Sequence, residues 1–319
     1  MIGRLDLQTF GVLLLARSIL CSISAEWHVN SNSTLVQALM NLSTGDKIII
    51  QDGIYSGPYV CNNTIKVSNV SIQAANKGNV TIDCGSTSRH FAILGSSVTI
   101  FGITMLNGFS KDPGGCLYVN GSGLLLQYCS IRRCTTTSTG GGIMLAATGA
   151  EIVLYNSQFS ACSALSGGAI YLNLASRLLG QNVIIEYCAA ALYGGGIYLN
   201  TASSMTVSET SVLRGNTANT RGGAIYSATK ASITFGGSVL FIKNAVVSTS
   251  GSVAPYGGAI YAIGSSLTTS DGSSLSFTGN TCVYVGGAVV LSSSSALEVN
   301  GQLQFVGAAR TCFSICFQT

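Results

Sequence analysis

Residues 222–244 read GGAIYSATKASITFGGSVLFIKN and contain two short motifs that return along the chain. The first motif is two glycines, a small residue and an aliphatic residue, and its seven copies end at positions 117, 143, 170, 197, 225, 260 and 289. Successive copies are therefore 26, 27, 27, 28, 35 and 29 residues apart. A second column advances in the same phase: Asn107, Cys134, Cys162, Cys188, Asn216, Asn244 and Asn280. Two columns that advance together indicate an internal repeat of about 27 residues.

The repeat predicts a solenoid built from strands. Its apolar segments, such as residues 170–172 and 239–241, are brief and lie close to Gly, Ser, Asn or Thr. They lack the three-and-four spacing of a helix. The paired glycines mark places where the chain turns sharply. We therefore expect an all-β chain that forms a single parallel β-helix, with equivalent side chains stacked about 4.8 Å apart in successive coils.

Four segments follow from this pattern. Residues 1–25 are predicted to be a cleaved signal peptide, because Arg4 precedes an apolar stretch that ends in small residues. Residues 26–108 are expected to form an N-terminal cap and the first coils, with a short capping helix that begins at Ser33 or Thr34. Residues 109–308 hold about seven to eight coils. Residues 309–319 are expected to form a C-terminal tail without an evident cap, which indicates either a truncated sequence or an unusual closure.

The paired motifs resemble those of a known family. Gly-Gly-Ala-(Ile/Val) combined with Phe-X-X-Asn, most complete in residues 222–244 and 257–280, is similar to the repeat of the chlamydial polymorphic outer membrane proteins. Residues 35–108 resemble the opening coils of the pectin-lyase-like right-handed parallel β-helix superfamily. The resemblance implies a right-handed helix, surface display and adhesion. Cysteine at positions 134, 162 and 188 departs from the Asn that the repeat has in that column.

Composition excludes several partners. Only 8% of the residues are charged, the net charge is +4, and the largest basic cluster is Arg132-Arg133, so we expect no nucleic acid partner. No uninterrupted apolar run approaches the roughly 20 residues of a membrane helix, so no span is expected once the signal peptide is removed. No Cys-X-X-Cys motif has a matching His or Cys pair, and we predict neither a metal nor a cofactor.

The acidic residues give no catalytic pattern. Lyases and hydrolases on this fold use clustered Asp with Arg or Lys, to bind calcium or to act as general acid and base on acidic sugars. Here no two acids after residue 25 are adjacent, and they do not recur in repeat phase. Glu186 and Arg214 lie one coil apart and are expected to form a surface pair worth less than about 1 kcal/mol.

We therefore predict a protein that is not an enzyme. It would be secreted or displayed on the cell surface, and would serve in adhesion or in association with wall, matrix or glycan. Its partner would be an extracellular glycan or a protein of a host or cell surface. The alternative is a polysaccharide lyase or hydrolase of the pectin-lyase-like superfamily, with degenerate catalytic acids.

A run of tyrosines gives the candidate ligand-binding surface. Five of them directly follow the aliphatic column: Tyr118, Tyr171, Tyr198, Tyr226 and Tyr261. Because strand side chains alternate between faces, these rings are expected to form an external stripe on which sugar rings or a partner protein could lie. In the alternative interpretation, the rings stack on each other and support the sheet.

Two further sets of residues bear on the compartment. Six asparagines open Asn-X-Ser/Thr triplets and are candidate N-glycosylation sites: Asn32, Asn41, Asn62, Asn69, Asn79 and Asn120. Ten cysteines follow residue 25, an even number that an oxidising compartment could pair. Cys134, Cys162 and Cys188 share one column, so they form either a disulfide ladder or a file of small buried apolar residues.

Overall fold

The computed structural model describes residues 24–57, 59–247, 255–283, 286–306 and 315–318, so nearly all of the predicted signal peptide lies outside the described residues. Over this range the chain is an all-β, right-handed parallel β-helix of about nine turns with one short helix, α1 (Asn32–Met40). The predicted fold is therefore confirmed.

The strands are short because each coil is divided by turns. In chain order they are β1 (Glu26–Val29), β2 (Lys47–Ile50), β3 (Gly53–Ser56), β4 (Asn63–Ile65), β5 (Ser71–Ala74), β6 (Val80–Asp83), β7 (Phe91–Ile93), β8 (Val98–Phe101), β9 (Ile103–Leu106), β10 (Phe109–Ser110), β11 (Leu117–Val119), β12 (Gly123–Gln127), β13 (Ser130–Arg132), β14 (Thr135–Thr136), β15 (Ile143–Leu145), β16 (Glu151–Tyr155), β17 (Gln158–Ser160), β18 (Ser163–Ser166), β19 (Ile170–Leu172), β20 (Arg177–Gln181), β21 (Ile184–Glu186), β22 (Ala189–Tyr193), β23 (Ile197–Leu199), β24 (Ser204–Ser208), β25 (Thr210–Arg214), β26 (Thr217–Ala218), β27 (Ile225–Ser227), β28 (Ser232–Phe235), β29 (Ser238–Ile242), β30 (Ala245–Val246), β31 (Ile260–Ile263), β32 (Ser266–Thr269), β33 (Ser274–Thr278), β34 (Thr281–Cys282), β35 (Val289–Ser292), β36 (Ala296–Val299), β37 (Gln302–Val306) and β38 (Ile315–Gln318).

Four parallel sheets run along the helix axis. Sheet A has the order β1-β2-β5-β8-β12-β16-β20-β24-β28-β32-β36, and sheet B the order β3-β6-β9-β13-β17-β21-β25-β29-β33-β37. Sheet C has the order β4-β7-β11-β15-β19-β23-β27-β31-β35-β38, and the short sheet D the order β10-β14-β18-β22-β26-β30-β34. A typical coil visits sheets C, A, B and D in that order, and the paired glycines lie between D and C.

The helix α1 covers the first coil. Its N-cap is Ser31, whose side chain accepts a hydrogen bond from the Thr34 backbone N–H, while the Thr34 side chain bonds back to the Ser31 backbone. The cap therefore lies two or three residues before the predicted position, because this reciprocal pairing satisfies two free backbone donors. The helix buries the side chains of three of its own residues, Leu35, Ala38 and Leu39.

The two sequence columns define the register. Ile143, Ile170 and Ile197 are direct partners in successive strands of sheet C, and all three are buried inside the coil. At the turn before them the second glycine of each motif has no room for a side chain: a Cβ on Gly223 would collide with the Gly258 carbonyl oxygen. Residues that are one repeat apart in the sequence therefore lie directly above one another in successive coils.

Candidate functional site

A polar groove lies at the corner between sheets A and B. It has a volume of about 330 Å³ and draws on three consecutive coils. Its lining consists of Tyr155, Asn156, Gln181, Asn182, Glu209 and Thr210. Amide, carboxylate and hydroxyl groups predominate, so the groove offers both donors and acceptors to a ligand rich in hydroxyl groups.

The corner geometry turns these side chains outward. Asn156, Asn182 and Glu209 adopt positive φ angles of 47°, 52° and 57°, a left-handed conformation that Asn tolerates better than most residues. In this turn the Asn182 Nδ2 donates to the Asn156 Oδ1. Tyr155 and Gln181 end the neighbouring strands β16 and β20 and form the wall on the side of sheet A.

Aromatic rings extend the groove along the same corner. Phe101 and Tyr128 meet edge to face at 5.5 Å between ring centroids, and Tyr128 meets Tyr155 in the same manner at 5.7 Å. The Lys77 Nζ lies 4.0 Å above the Tyr128 ring. Because sugar rings pack against aromatic faces, this file continues the groove with a surface of suitable chemistry.

A charged cluster occupies the outer face of sheet B on the same coils. Glu186 in β21 is only 8% exposed, yet both of its carboxylate oxygens are bonded. One oxygen accepts from the Gln158 Nε2 at 2.9 Å, and the other accepts from the Arg214 Nε at 2.6 Å. These partners come from β17 and β25, the strands on either side of β21.

The cluster presents a fixed cation to solvent. The Arg214 side chain is 48% exposed although Glu186 is largely covered, so guanidinium donors remain available on the outside. Hydrogen bonding to Glu186 raises the pKa of the Arg214 guanidinium further above its usual range. Beside it, the ring of Tyr187, which is 62% exposed, lies 5.9 Å from the guanidinium carbon. A guanidinium held in place this way suits a carboxylate or a similar anion.

The predicted tyrosine surface lies elsewhere, on the outer face of sheet C. Tyr171, Tyr198, Tyr226 and Tyr261 are partners in successive strands, and their rings stack at centroid distances of 4.6, 4.9 and 5.6 Å. Met144 separates Tyr118 from this stack. Tyr226 and Tyr261 are 9% and 2% exposed, so only the Tyr171 and Tyr198 part of the stack is open to a ligand. The binding role of all five tyrosines stays a prediction.

The cysteine column differs from the predicted ladder. Cys134 forms a disulfide with Cys116, with 5.4 Å between Cα atoms, rather than with a neighbour in its own column. Cys116 occupies the small-residue position of the first glycine motif and lies on the same coil, within the range that a disulfide needs. Cys162 and Cys188 are buried free thiols, and burial raises the pKa of the Cys188 thiol. A second disulfide joins Cys61 to Cys84.

The six candidate glycosylation sites share one property. Each asparagine is exposed in the folded chain, namely Asn32, Asn41, Asn62, Asn69, Asn79 and Asn120. Their modification remains a prediction. None of the helices among the described residues is long and apolar enough to cross a membrane. Within the same residues, no three His, Cys, Asp or Glu side chains lie close enough together to hold a metal ion.

The groove was not predicted, although the sequence contains a signal for it. Asn156, Asn182 and Glu209 are 26 and 27 residues apart, so they form a third column at the repeat spacing. This column holds Asn in only two coils, whereas the glycine motif and the Asn/Cys column each extend over seven copies. The Glu186–Arg214 pair was predicted as a surface contact, and the structure differs in the burial of its carboxylate.

Comparisons with known proteins agree on the architecture. The family model for the right-handed beta helix region matches residues 48–212 and 93–267. No protein among the curated sequences matches this chain. A similar solved structure is that of the PL6 family alginate lyase AlyGC, at 13% identity and a TM-score of 0.48, over 92% of this chain and 39% of that one. This chain thus spans about two fifths of the length of that lyase.

Two other solved structures have the same kind of similarity. The complex of the alginate lyase AlyF-OU02 with G6 matches at 11% identity and a TM-score of 0.41, over 88% of this chain and 86% of that one. The PL6 family polysaccharide lyase Pedsa3628 from Pseudopedobacter saltans matches at 12% identity and a TM-score of 0.37, over 83% and 65%. At these values the likeness concerns the fold alone. The prediction that the chain is not an enzyme finds no support among these structures, since those named above are polysaccharide lyases.

Proposed function

Since this chain belongs to the family of right-handed beta helix regions, we propose that it is a carbohydrate-active protein that acts on an extended acidic polysaccharide. The observation that carries the proposal is the position of Arg214, which the buried carboxylate of Glu186 holds at the surface on the same coils as the polar groove. Glu186 engages the Nε and Nη2 of Arg214, and the exposed remainder of the guanidinium is left to a ligand. A uronate carboxylate would accept charge-assisted hydrogen bonds there, which a neutral sugar chain forms less strongly.

The groove and the cation together set the size of the ligand. Strand β25 runs from Thr210, in the groove, to Arg214, and its four residue steps cover about 13 Å at 3.3 Å per residue. One ligand that reaches both ends must therefore be several sugar units long. At the groove end, Asn156, Asn182 and Glu209 can bind hydroxyl groups, and the half-open ring of Tyr155 can pack against a sugar face.

The reaction that these groups support best is β-elimination. In this reaction a base removes the proton on the carbon next to the uronate carboxylate, a double bond forms to the adjacent carbon, and the glycosidic oxygen leaves with a proton. Arg214 would pair with the carboxylate as negative charge accumulates on it. Tyr187 stands next to Arg214, and we assign its phenolate oxygen as the base that accepts the proton from that carbon. The phenol so formed then gives the proton to the departing glycosidic oxygen, which restores the phenolate.

The proposed compartment is extracellular or the cell surface. Two disulfides, Cys61–Cys84 and Cys116–Cys134, support an oxidising environment. The exposure of all six Asn-X-Ser/Thr asparagines agrees with passage through a secretory pathway.

A second candidate function is adhesion, which the resemblance to the chlamydial repeats implies. It is favoured by the stacked rings of Tyr171 and Tyr198, which are partly exposed and offer a row of ring edges and hydroxyl groups to a glycan. This surface lies on sheet C and shares no residue with the groove.

Binding and cleavage are tested with the same variants. Purified protein is titrated with polygalacturonate, alginate and neutral dextran by calorimetry, and the unsaturated product is followed by its ultraviolet absorbance. The Arg214→Gln variant is expected to weaken binding of the acidic polymers about tenfold, since a charge-assisted hydrogen bond contributes about 1.5–3 kcal/mol. Tyr187→Phe is expected to bind normally and form no product.

The matched control is Arg177→Gln. Arg177 also pairs with a glutamate one coil away, Glu151 at 3.7 Å, but on the outer face of sheet A. Its loss should leave binding within about twofold of wild type. Wild-type protein that binds no acidic polymer, or equal losses in the two arginine variants, would contradict the proposal. Binding without product in the wild type would refute the elimination step and leave the binding site standing.

A further inference from the structure

Arg221 lies at the corner between sheets D and C, directly before the Gly222-Gly223 turn. It is flanked in the neighbouring coils by Tyr193 and Tyr256, with which it forms parallel bridges. Its guanidinium carbon is 4.9 Å from the Tyr261 ring centroid and 5.8 Å from that of Tyr256. The cation is thus set in an aromatic cluster.

The charge of Arg221 is not neutralised by a carboxylate. None of the ion pairs among the described residues includes it. Moreover, its Nε is buried and has no hydrogen-bond partner. Ring faces attract a cation by about 0.5–2 kcal/mol, but they do not accept the in-plane N–H bonds of a guanidinium. An unsatisfied buried donor costs folding free energy, which points to a role for Arg221 other than stabilising the fold.

Three hydroxyl groups of the tyrosine stack, those of Tyr171, Tyr198 and Tyr226, stay neutral and can donate. Burial raises the pKa of Tyr198, and burial likewise raises the pKa values of Tyr171 and Tyr226. Tyr193, which pairs with Arg221, and Tyr198, whose ring centroid lies 6.4 Å from that of Tyr193, are both partly exposed. Tyr171 and Tyr226 cover the two faces of the Tyr198 ring, at 4.6 and 4.9 Å. A ligand here would therefore meet one cation, tyrosine hydroxyl groups and the edges of stacked rings.

We propose that Arg221 and the adjoining tyrosine stack form a second saccharide site, in which the guanidinium binds the oxyanion of an acidic sugar and the hydroxyl groups and ring edges of Tyr198 and Tyr171 contact the sugar. The site involves none of the residues of the groove or of the Arg214 cluster. It shares Tyr171 and Tyr198 with the surface of the second candidate function and goes beyond that function by adding a cation and an acidic ligand. The shared ligand chemistry is an oxyanion on a sugar, which a carboxylate or a sulfate group provides.

The first test footprints the wild-type chain. Arginines are modified with phenylglyoxal, and the rate at each arginine is read by mass spectrometry, alone and with polygalacturonate, dextran sulfate, inorganic phosphate or neutral dextran. Acidic polymer is expected to slow modification of Arg221 about fivefold or more, and neutral dextran to leave it unchanged, while Arg177 reacts alike throughout. If inorganic phosphate slows the modification of Arg221 and the acidic polymers do not, the site binds free anions and the proposal of a saccharide ligand is refuted. Arg221 that never reacts, or that reacts equally in all mixtures, overturns the site.

The same experiment separates the two proposals. If acidic polymer protects Arg214 but not Arg221, the groove is supported as the binding site and the second saccharide site is refuted. If it protects Arg221 but not Arg214, the second site is supported and binding at the groove is refuted.

Variants give an independent measure. Arg221→Gln is expected to raise the dissociation constant for the preferred acidic polymer about tenfold, and Arg221→Lys, which keeps the charge but loses the planar fork, to raise it less. Arg177→Gln is the control, and thermal unfolding checks that each variant folds. Binding by Arg221→Gln as tight as that of the wild type would refute the proposal. If Arg221→Gln does not fold, Arg221→Lys and the footprint decide.

Discussion

Asn244 offers the sharpest test of how the coils are held together. Its amide lies fully buried at the corner between sheets B and D, between Asn216 and Asn280 in the coils before and after it. The Oδ1 accepts from the backbone N–H and from the Nδ2 of Asn216, both at 3.0 Å. The Nδ2 donates to the Leu213 carbonyl at 2.8 Å and to the Asn280 Oδ1 at 2.9 Å. One side chain thus links three coils.

Replacing this amide should cost several kcal/mol. Asn244→Ala removes all four bonds and takes a partner from two buried backbone groups, the Asn216 N–H and the Leu213 carbonyl. At about 1–3 kcal/mol for each of the two buried groups deprived of a partner, the expected loss is roughly 2–6 kcal/mol. Since domains have only about 5–15 kcal/mol of net stability, this is a large fraction. No other core contact needs to change, because alanine is smaller and adds no clash.

The assay is denaturant unfolding of the full chain together with hydrogen exchange at the Asn216 amide. Exchange reads this coil locally, which matters because a solenoid need not unfold in one step. Asn219→Ala is the control, since Asn219 is exposed and lies in the coil of Asn216, whose exchange is measured. It should change the free energy of unfolding by less than about 0.5 kcal/mol. If Asn244→Ala resembles this control, the asparagine file does not stabilise the stack and the reasoning is refuted.

Three further perturbations have defined outcomes. A cavity of about 10 Å³ adjoins Gly180, and a Cβ added there would lie 3.2 Å from the Val183 Cγ2, which can shift into that cavity. Gly180→Ala should therefore raise the free energy of unfolding by up to about 1 kcal/mol, and a lower melting temperature would disprove it. Burial lowers the pKa of His90 to about 4. The unfolded imidazole therefore takes up a proton first, and stability should fall by about 3 kcal/mol as pH decreases from about 6.5 to 4. Urea midpoints across this range should lose that dependence in His90→Gln. Reduction of Cys61–Cys84, which closes 23 residues, should cost about 3 kcal/mol in thermal unfolding, and no change in melting would argue against the bond.

The sequence was sufficient to predict the architecture because the glycine motif and the Asn/Cys column both recur at the coil spacing over seven copies. The glycine at position 223 is required where a side chain would meet the next coil, and the asparagine at 244 is required where backbone groups at a corner need a partner. Requirements of this kind recur at the spacing of the coils, so they produce a period that is visible in the amino-acid sequence alone. The capping helix was predicted for a similar reason, since hydroxyl residues precede an apolar stripe.

The candidate site could not be found in the same way. The corner that holds Asn156, Asn182 and Glu209 requires only a left-handed turn, which different residues satisfy, so the column does not repeat one letter. The disulfide of Cys134 depends on the path within one coil, where Cys116 lies nearer than sequence spacing indicates. The burial of Glu186 depends on neighbours from two other coils and is likewise absent from any local pattern.

The candidate site exists only if Glu186 and Arg214 are superposed in successive coils. This is measured most directly by the double variant Glu186→Cys/Arg214→Cys, oxidised and mapped by mass spectrometry. Register partners in adjacent strands lie about 4.8 Å apart, so a disulfide should form between the two new cysteines. The pair Ser160→Cys/Arg214→Cys, two coils and about 10 Å apart, should stay reduced. A bond in the second pair, or none in the first, would contradict the stacking from which the site is built.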